Sequence, residues 1–245
     1  MSNTFFIKVA GIVIKISPIY PLARELCNDY IVEPVSNPDI SVCTSNEQLK
    51  YELGKEIGTT EPAYAEFLSI YRAVAERLPE FDSFVFHGAA ISYKDRGYLF
   101  TAPSGTGKST HILLWRKYIG KSVDIINGDK PIIKATKDGI FVCSTPWAGK
   151  EGWQKNRILP LSCLTFLERS KEPFISQKLP KNCLKKIMNQ AYMPKNPQNL
   201  GRTLELIDRL LSRVPIYALG CDISESSVKV AFEAMTKEEY KKTGV

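Results

Sequence analysis

The chain has 245 residues, enough for one large domain or two small ones. Its composition is 44% hydrophobic and 24% charged, with 15 glycines and 15 prolines, which excludes a disordered, collagen-like or coiled-coil protein. A net charge of +7, from 33 Lys and Arg against 26 Asp and Glu, is compatible with a nucleotide, a nucleic acid or an acidic protein as partner and selects none of them. The most apolar stretch, Phe5 to Ile16, is interrupted by Lys8, Gly11 and Lys15. It falls short of the roughly 18–20 residues that a membrane-spanning helix needs and reads as a strand. No charged leader precedes it and no small-residue cleavage pattern follows, so a cytoplasmic protein without a membrane partner is expected. The six cysteines are widely spaced without a C-x-x-C pair, so no zinc or redox motif is written in them and most are expected to be buried apolar residues.

In chain order, residues 1–45 alternate β-branched and aromatic runs with Pro and Asn-Pro breaks, which predicts a small antiparallel β element. This defines an N-terminal β-rich portion over residues 1–60, followed by a second unit over 61–245. From Glu61, with Pro62 in the first turn, Tyr64, Phe67, Leu68, Tyr71, Val74, Ala75 and Leu78 recur at helical spacing up to Pro79. A strand is expected around Ser83–His87 and on through Gly88 to Ser92, then a charged turn at Lys94–Gly97 and a second strand at Tyr98–Thr101. A glycine-rich segment, Ala102–Lys108, leads into a helix over His111–Tyr118. Strands are predicted at Val123–Ile126, Pro131–Ala135, Ile140–Cys143 and Leu161–Leu167, with hairpin chemistry at Asn127-Gly128 and Asp138-Gly139. Helices are predicted at Asn182–Ala191, Gly201–Arg213 and Glu225–Met235, with a Pro/Asn linker at Met193–Asn199, a short strand at Ile216–Leu219 and a frayed tail, KEEYKKTGV.

The strongest chemical signal is Ala102-Pro103-Ser104-Gly105-Thr106-Gly107-Lys108-Ser109, which fits the Walker A pattern with Ala at the first glycine. Gly105 and Gly107 let backbone N–H groups turn toward a phosphate, the helix start adds its positive end, and Lys108 reaches the outer phosphates. Pro103, Ser104, Gly105, Thr106, Gly107, Lys108, Ser109 and Thr110 are therefore the expected ATP-binding residues. Ser109 is expected to hold Mg²⁺ through its hydroxyl. Asp129, closing the apolar run VDIIN-Gly128, is the candidate magnesium carboxylate, with an ordinary turn aspartate as the other reading.

These residues resemble the HPr kinase/phosphorylase catalytic domain and its relatives, which share the phosphoenolpyruvate-carboxykinase-like nucleotide-binding fold. The resemblance lies in Phe86-His87-Gly88-Ala89-Ala90, Gly97–Thr101, APSGTGKST, INGDKP, STPWAGK and VPIYALGCDIS, over roughly residues 80–235. It implies an α/β fold with a mixed β-sheet core, a P-loop and flanking helices beside the β-rich N-terminal portion. It also implies His87 near an Asp, here Asp129, that acts as base toward an acceptor hydroxyl. The family shows an Asp-Asp pair where this chain has Gly128-Asp129, and HPr kinase proper has Glu where this chain has Thr110. A homo-oligomer is carried by the resemblance alone.

The segment Thr145–Trp153 is dense in glycine, aromatic and charged residues and reads either as an active-site loop or as a packed turn. In the first reading Lys150 neutralises charge developing on the γ-phosphate and Glu151 orients metal-bound water or the acceptor. His111 and Trp115 are read as structural. The basic positions Lys181, Lys185, Lys186, Lys195 and Arg202 lack interleaved aromatics, so nucleic acid is not the expected partner. The expected function is an ATP- and Mg²⁺-dependent kinase acting on a hydroxyl, either Ser of a peptide or protein or a small hydroxylated metabolite. A catalytically weak nucleotide-binding regulatory module is the alternative, and a motor or transporter ATPase would require parallel strands around the loop.

Overall fold

A computed structural model describes residues 4–54 and 59–241. It is a mixed α/β protein with two mixed sheets. The apolar stretch read as one strand is a hairpin, β1 (Phe5–Val9) and β2 (Ile12–Ser17), because Ala10 and Gly11 both take positive φ, +53° and +81°, as a two-residue turn requires. The chain continues through α1 (Leu22–Leu26), β3 (Ile31–Val32) and β4 (Ile40–Cys43), giving the order β3-β1-β2-β4. The expected all-antiparallel element is corrected here: β4 lies parallel to β2, with residues 18–39 as the crossover. Next comes α2 (Asn46–Leu53), which the sequence reading missed although Ser45 and Gln48 form a capping box at its start.

The predicted helix α3 (Pro62–Arg77) buries Phe67, Ile70, Tyr71 and Val74. These join Ile7, Ile14 and Ile16 of the small sheet, and Val85, Ile132, Cys143 and Trp147 from farther along, in a single core. The large sheet is formed by β5 (Ser83–Val85), β6 (Ala89–Tyr93), β7 (Arg96–Thr101), β8 (Val123–Asn127), β9 (Ile132–Thr136), β10 (Gly139–Cys143), β11 (Ile158–Arg169), β12 (Phe174–Gln177) and β13 (Ile216–Cys221). Its order is β5-β9-β10-β11-β7-β6-β8, with β13 also on β11 and β12 on β13. The long β11 joins two parts. Its first residues pair antiparallel with β10, and its later ones lie parallel to β7 on one side and β13 on the other.

On one face, α4 (Lys108–Ile119) and α7 (Glu225–Thr236) bury Ile112, Trp115, Val228 and Phe232 against Phe100, Tyr98 and Leu219. Toward the other lie α5 (Leu184–Met188) and α6 (Pro197–Arg213), with Ile187, Ile207 and Leu210 against Phe84, Leu99 and Leu164. Several boundaries differ from expectation. The strand expected to run through residues 83–92 is broken at Phe86-His87-Gly88. The backbone N–H groups of these residues donate to Pro131, Gln190 and Asp129 instead of continuing one ladder. Asn127-Gly128 makes no hairpin, because β8 pairs with β6 and β9 with β5 and β10. Its Asn127 Oδ1 instead accepts from the Asp129 and Lys130 N–H groups. Asp138-Gly139 does turn the β9–β10 hairpin.

The helix expected over 182–191 is only the short α5. Its neighbour α6 begins at Pro197 rather than Gly201, because the Asn196 side chain caps Gln198 and Asn199. The tail expected to fray is held as far as Tyr240. Glu238 accepts from Tyr93 Oη and Lys94, and Tyr240 donates to Glu225. Residues 242–245 of that tail lie outside the described residues, as do 55–58, which precede the expected 60/61 boundary. Among the described residues no helix is long and apolar enough to cross a membrane.

Candidate functional site

The strand preceding the glycine-rich loop, β7, runs antiparallel to β6 and parallel to β11. The all-parallel surroundings of a motor-type ATPase are therefore not found. The strand ends in buried Thr101, after which Pro103, Ser104 and Gly105 emerge on the surface. Gly105 and Gly107 take φ of +75° and +115° and an added Cβ would meet nothing within 4 Å at either, so glycine is needed there for conformation and not for space. Gly107 opens α4, whose first backbone bond runs from His111 N–H to the Gly107 carbonyl. Lys108 Nζ curls back to donate to the Ala102 carbonyl at 3.0 Å. Arg169, at the end of β11, donates to the Gly105 carbonyl at 2.9 Å and braces the loop. Ser109 and Thr110 follow in the first turn of α4, Ser109 half-buried and Thr110 exposed.

Across from the loop, the break between β5 and β6 holds His87. Its backbone N–H donates to Gln190, its Nδ1 lies 2.9 Å from Gln190 Oε1, and its carbonyl accepts from the Thr101 hydroxyl at 2.8 Å. Its Nε2 stands 3.3 Å from Asp129 Oδ1, and the neighbouring Gly88 N–H donates to the Asp129 carbonyl at 2.9 Å. The other carboxylate oxygen, Oδ2, takes the Lys130 ammonium. Burial opposes the negative charge of Asp129, yet the His87 contact and the Lys130 ammonium together hold its carboxyl down at about 2. Lys108 lies in the same field. Burial lowers its pKa, Asp129 pulls it up and Lys130 pushes it down, with a net lowering. Loop lysine, carboxylate and histidine thus converge from three separate segments.

The segment after β10 folds over this cluster. Gly149 has a φ of +81°, and a Cβ on it would lie 3.0 Å from the Asp129 Cβ and 3.6 Å from Glu151 Oε2. Lys150 is exposed at the tip and makes no hydrogen bond or ion pair among the described residues. Trp147 is buried at the base, its Nε1 donating to the Phe67 carbonyl at 3.3 Å and its ring against Phe67 and Tyr71. Gly128 has a steric reason: a Cβ there would fall 2.9 Å from the Ala148 carbonyl oxygen, so any larger residue requires this segment to move.

Two cavities flank the cluster. One of about 640 Å³ lies beside the loop, between Thr106, Gly107 and Thr110 on one side and Arg169, Lys171, Asp222 and Ile223 on the other. The second, about 210 Å³, opens beside Asp129 and reaches α1 and α3. His111 borders the first but is structural as expected. It is buried, accepts from Trp115 Nε1 at 3.1 Å, and burial lowers its pKa to about 4. Among the described residues no group of three or more His, Cys, Asp or Glu could hold a metal. A carboxylate and a hydroxyl, the groups Asp129 and Ser109 would supply, are a donor set of the kind Mg²⁺ takes beside phosphate oxygens and water, while both Asp129 oxygens are engaged by His87 and Lys130 in this structure. Sequence reasoning missed Lys130, Arg169 and Gln190. Lys130 is adjacent to Asp129 in INGDKP and was readable there, whereas Arg169 and Gln190 arrive by folding alone.

Neither a protein-family model nor a curated protein matches the chain. Among solved structures it is similar to one described as the Hpr(Ser) kinase/phosphatase from Coxiella burnetii, with a TM-score of 0.39 and 11% sequence identity over 62% of this chain and 97% of that one. That likeness is a distant structural one.

Proposed function

We propose that the protein is an ATP-dependent kinase that transfers the γ-phosphate to a hydroxyl group. The observation that carries this reading is the convergence of Lys108, Asp129 and His87 at the open end of β7, since phosphoryl transfer asks mainly for positioning and charge neutralisation. In this reading the backbone from Pro103 to Thr110 cradles the phosphates of ATP, and Lys108 leaves the Ala102 carbonyl to meet their outer oxygens. The larger cavity takes the nucleoside. Ser109 and an Asp129 oxygen hold Mg²⁺, which supplies neutralisation of phosphate charge when bound. Asp129 accepts the proton of the acceptor hydroxyl, and His87, fixed by Gln190, positions that carboxylate. Glu151 and Lys150 lie on the segment that would close over the transferred group. From the N-terminal portion, α1 together with α3 would form the acceptor side.

Incubation with Mg²⁺ and γ-labelled ATP tests this. Wild type is expected to transfer label to an acceptor or slowly to water, Lys108→Ala to weaken ATP binding at least tenfold, and Asp129→Asn to keep binding but slow transfer by about 10²–10⁴. A second reading, a catalytically weak nucleotide-binding regulatory module, draws on Gly128 in place of a second aspartate and on the occupation of both Asp129 oxygens. Tight ATP binding with no label moved to any acceptor and no hydrolysis would select it.

A further inference from the structure

We propose that Asp222 recognises the sugar of the bound nucleotide, its carboxylate accepting hydrogen bonds from the ribose hydroxyls, and that Ile223 beside it covers one face of the base. This rests on the nucleotide reading of the 102–110 loop and deepens it. β7, β11 and β13 lie side by side and parallel, so the loop after Thr101, then Arg169, then Asp222 stand at the carboxyl ends of three neighbouring strands in that order. Ligands of parallel sheets bind outside those ends. Thr101 is level with Phe166 and Arg169 with Cys221, so β11 and β13 run three residues past the start of the loop and form a wall beside it. The 640 Å³ cavity lies between that wall and the loop, and its volume is within the about 300–1,000 Å³ of small-ligand sites. Two strand spacings, about 10 Å, separate β7 from β13. Phosphates held by the backbone at Thr106–Thr110 therefore leave the sugar and base to extend past Arg169 toward Asp222.

The wall changes character in the order of the parts of a nucleotide. Arg169, held to the Gly105 carbonyl, and Lys171, which has no hydrogen bond or ion pair among the described residues, bring positive charge to the cavity. Asp222 comes next. A carboxylate in a cavity that takes a polyanion is unfavourable unless it faces hydrogen-bond donors, and the donors of a nucleotide nearest its phosphates are the ribose hydroxyls. Asp222 Oδ1 accepts from the Ser224 N–H at 2.9 Å and from the Ser224 and Ser227 hydroxyls. These bonds fix the side chain at the turn into α7 and hold its pKa down at about 2, so it is an acceptor only at neutral pH. Its Oδ2 has no hydrogen-bond partner among the described residues and is left for a ligand. Ile223 follows, 77% exposed, the most exposed large apolar residue among those described, and it borders the same cavity. A base laid against it removes that apolar surface from water.

The test measures the affinity of the full chain, with Mg²⁺ present, for ATP, 2′,3′-dideoxyATP and inorganic tripolyphosphate. Wild type is expected to bind ATP about tenfold or more tightly than 2′,3′-dideoxyATP, the loss of a hydrogen bond to a charged group. Asp222→Asn is expected to abolish that preference while tripolyphosphate affinity stays within about twofold, because only the nucleotide reaches β13. Ile223→Ser is expected to weaken both nucleotides alike, by about fivefold, and to leave tripolyphosphate unchanged. The comparison in wild type needs no variant, so a misfolded Asp222→Asn leaves the proposal open to refutation. Equal affinity for ATP and 2′,3′-dideoxyATP in wild type, or a preference that Asp222→Asn retains, overturns the ribose assignment. A loss in Asp222→Asn as large for tripolyphosphate as for ATP makes the residue a support of the turn and overturns it as well. In each of these cases ATP binding that Lys108→Ala weakens leaves the nucleotide site standing. If neither ATP nor tripolyphosphate binds to wild type, both readings fall together.

Discussion

Asp129 owes its ionisation to its neighbours, and that dependence has a measurable sign. Desolvation raises a carboxyl pKa, but the His87 contact and the Lys130 ammonium reverse the effect and bring it from 3.8 to about 2. A carboxylate depressed on folding stabilises the protein above its unfolded pKa and loses that contribution as pH falls through the folded value. Between about pH 5 and pH 2 the wild type is therefore expected to lose about 2 kcal/mol more stability than Asp129→Asn, read from urea unfolding midpoints across that range. Gly128 is a residue-scale constraint of another kind. The Asp pair of the family that the sequence resembles has no room here with the 146–149 segment in place, since even a methyl group would meet the Ala148 carbonyl at 2.9 Å. Gly128→Ala is expected to destabilise by about 1–3 kcal/mol, seen as a lowered melting temperature.

At the scale of elements, the segment that folds over Asp129 depends on two residues. Trp147 is 3% exposed and joins α3 to the site through Phe67 and Tyr71. Its replacement by alanine is expected to cost about 3–5 kcal/mol in denaturant unfolding. Gly149→Ala combines a left-handed backbone with a close approach to the Asp129 Cβ. Its expected cost is about 1–2 kcal/mol, and displacement of the carboxylate is expected to slow phosphoryl transfer by up to about 100-fold with ATP affinity kept. The glycine loop, its following helix and the Asp138-Gly139 hairpin were legible because each is specified by steric preferences of consecutive residues. The break at Phe86-His87-Gly88 was not, because it exists where Pro131, Asp129 and Gln190 offer those three N–H groups better acceptors than a continued ladder.

Across the whole molecule, the small sheet, α3 and part of the large sheet share one core, from Ile7 and Ile14 to Ile132 and Trp147. Thiol chemistry reads that packing directly. Of the six cysteines Cys43 alone is exposed, Cys221 is intermediate and the other four are buried, with burial pushing Cys27, Cys143 and Cys163 up to about 12. An aromatic disulfide reagent at pH 8 is expected to label Cys43 quickly, Cys221 slowly and the other four only after unfolding. Cys221 borders the larger cavity, so ATP is expected to slow its labelling.

The amino-acid sequence alone determined the local pieces: the strand, glycine turn and helix around Lys108, the Asp138-Gly139 turn, and the helices α3, α6 and α7. These follow from backbone sterics and from apolar spacing within a few turns of chain. Only the tertiary structure decided that β4 runs parallel to β2, that β11 joins the two parts of the large sheet, and that Glu25 and Tyr64 reach the cavity beside Asp129. Pairing direction and cavity walls arise from contacts between residues far apart in the chain, whose loop-closure entropy and burial no short window of sequence contains.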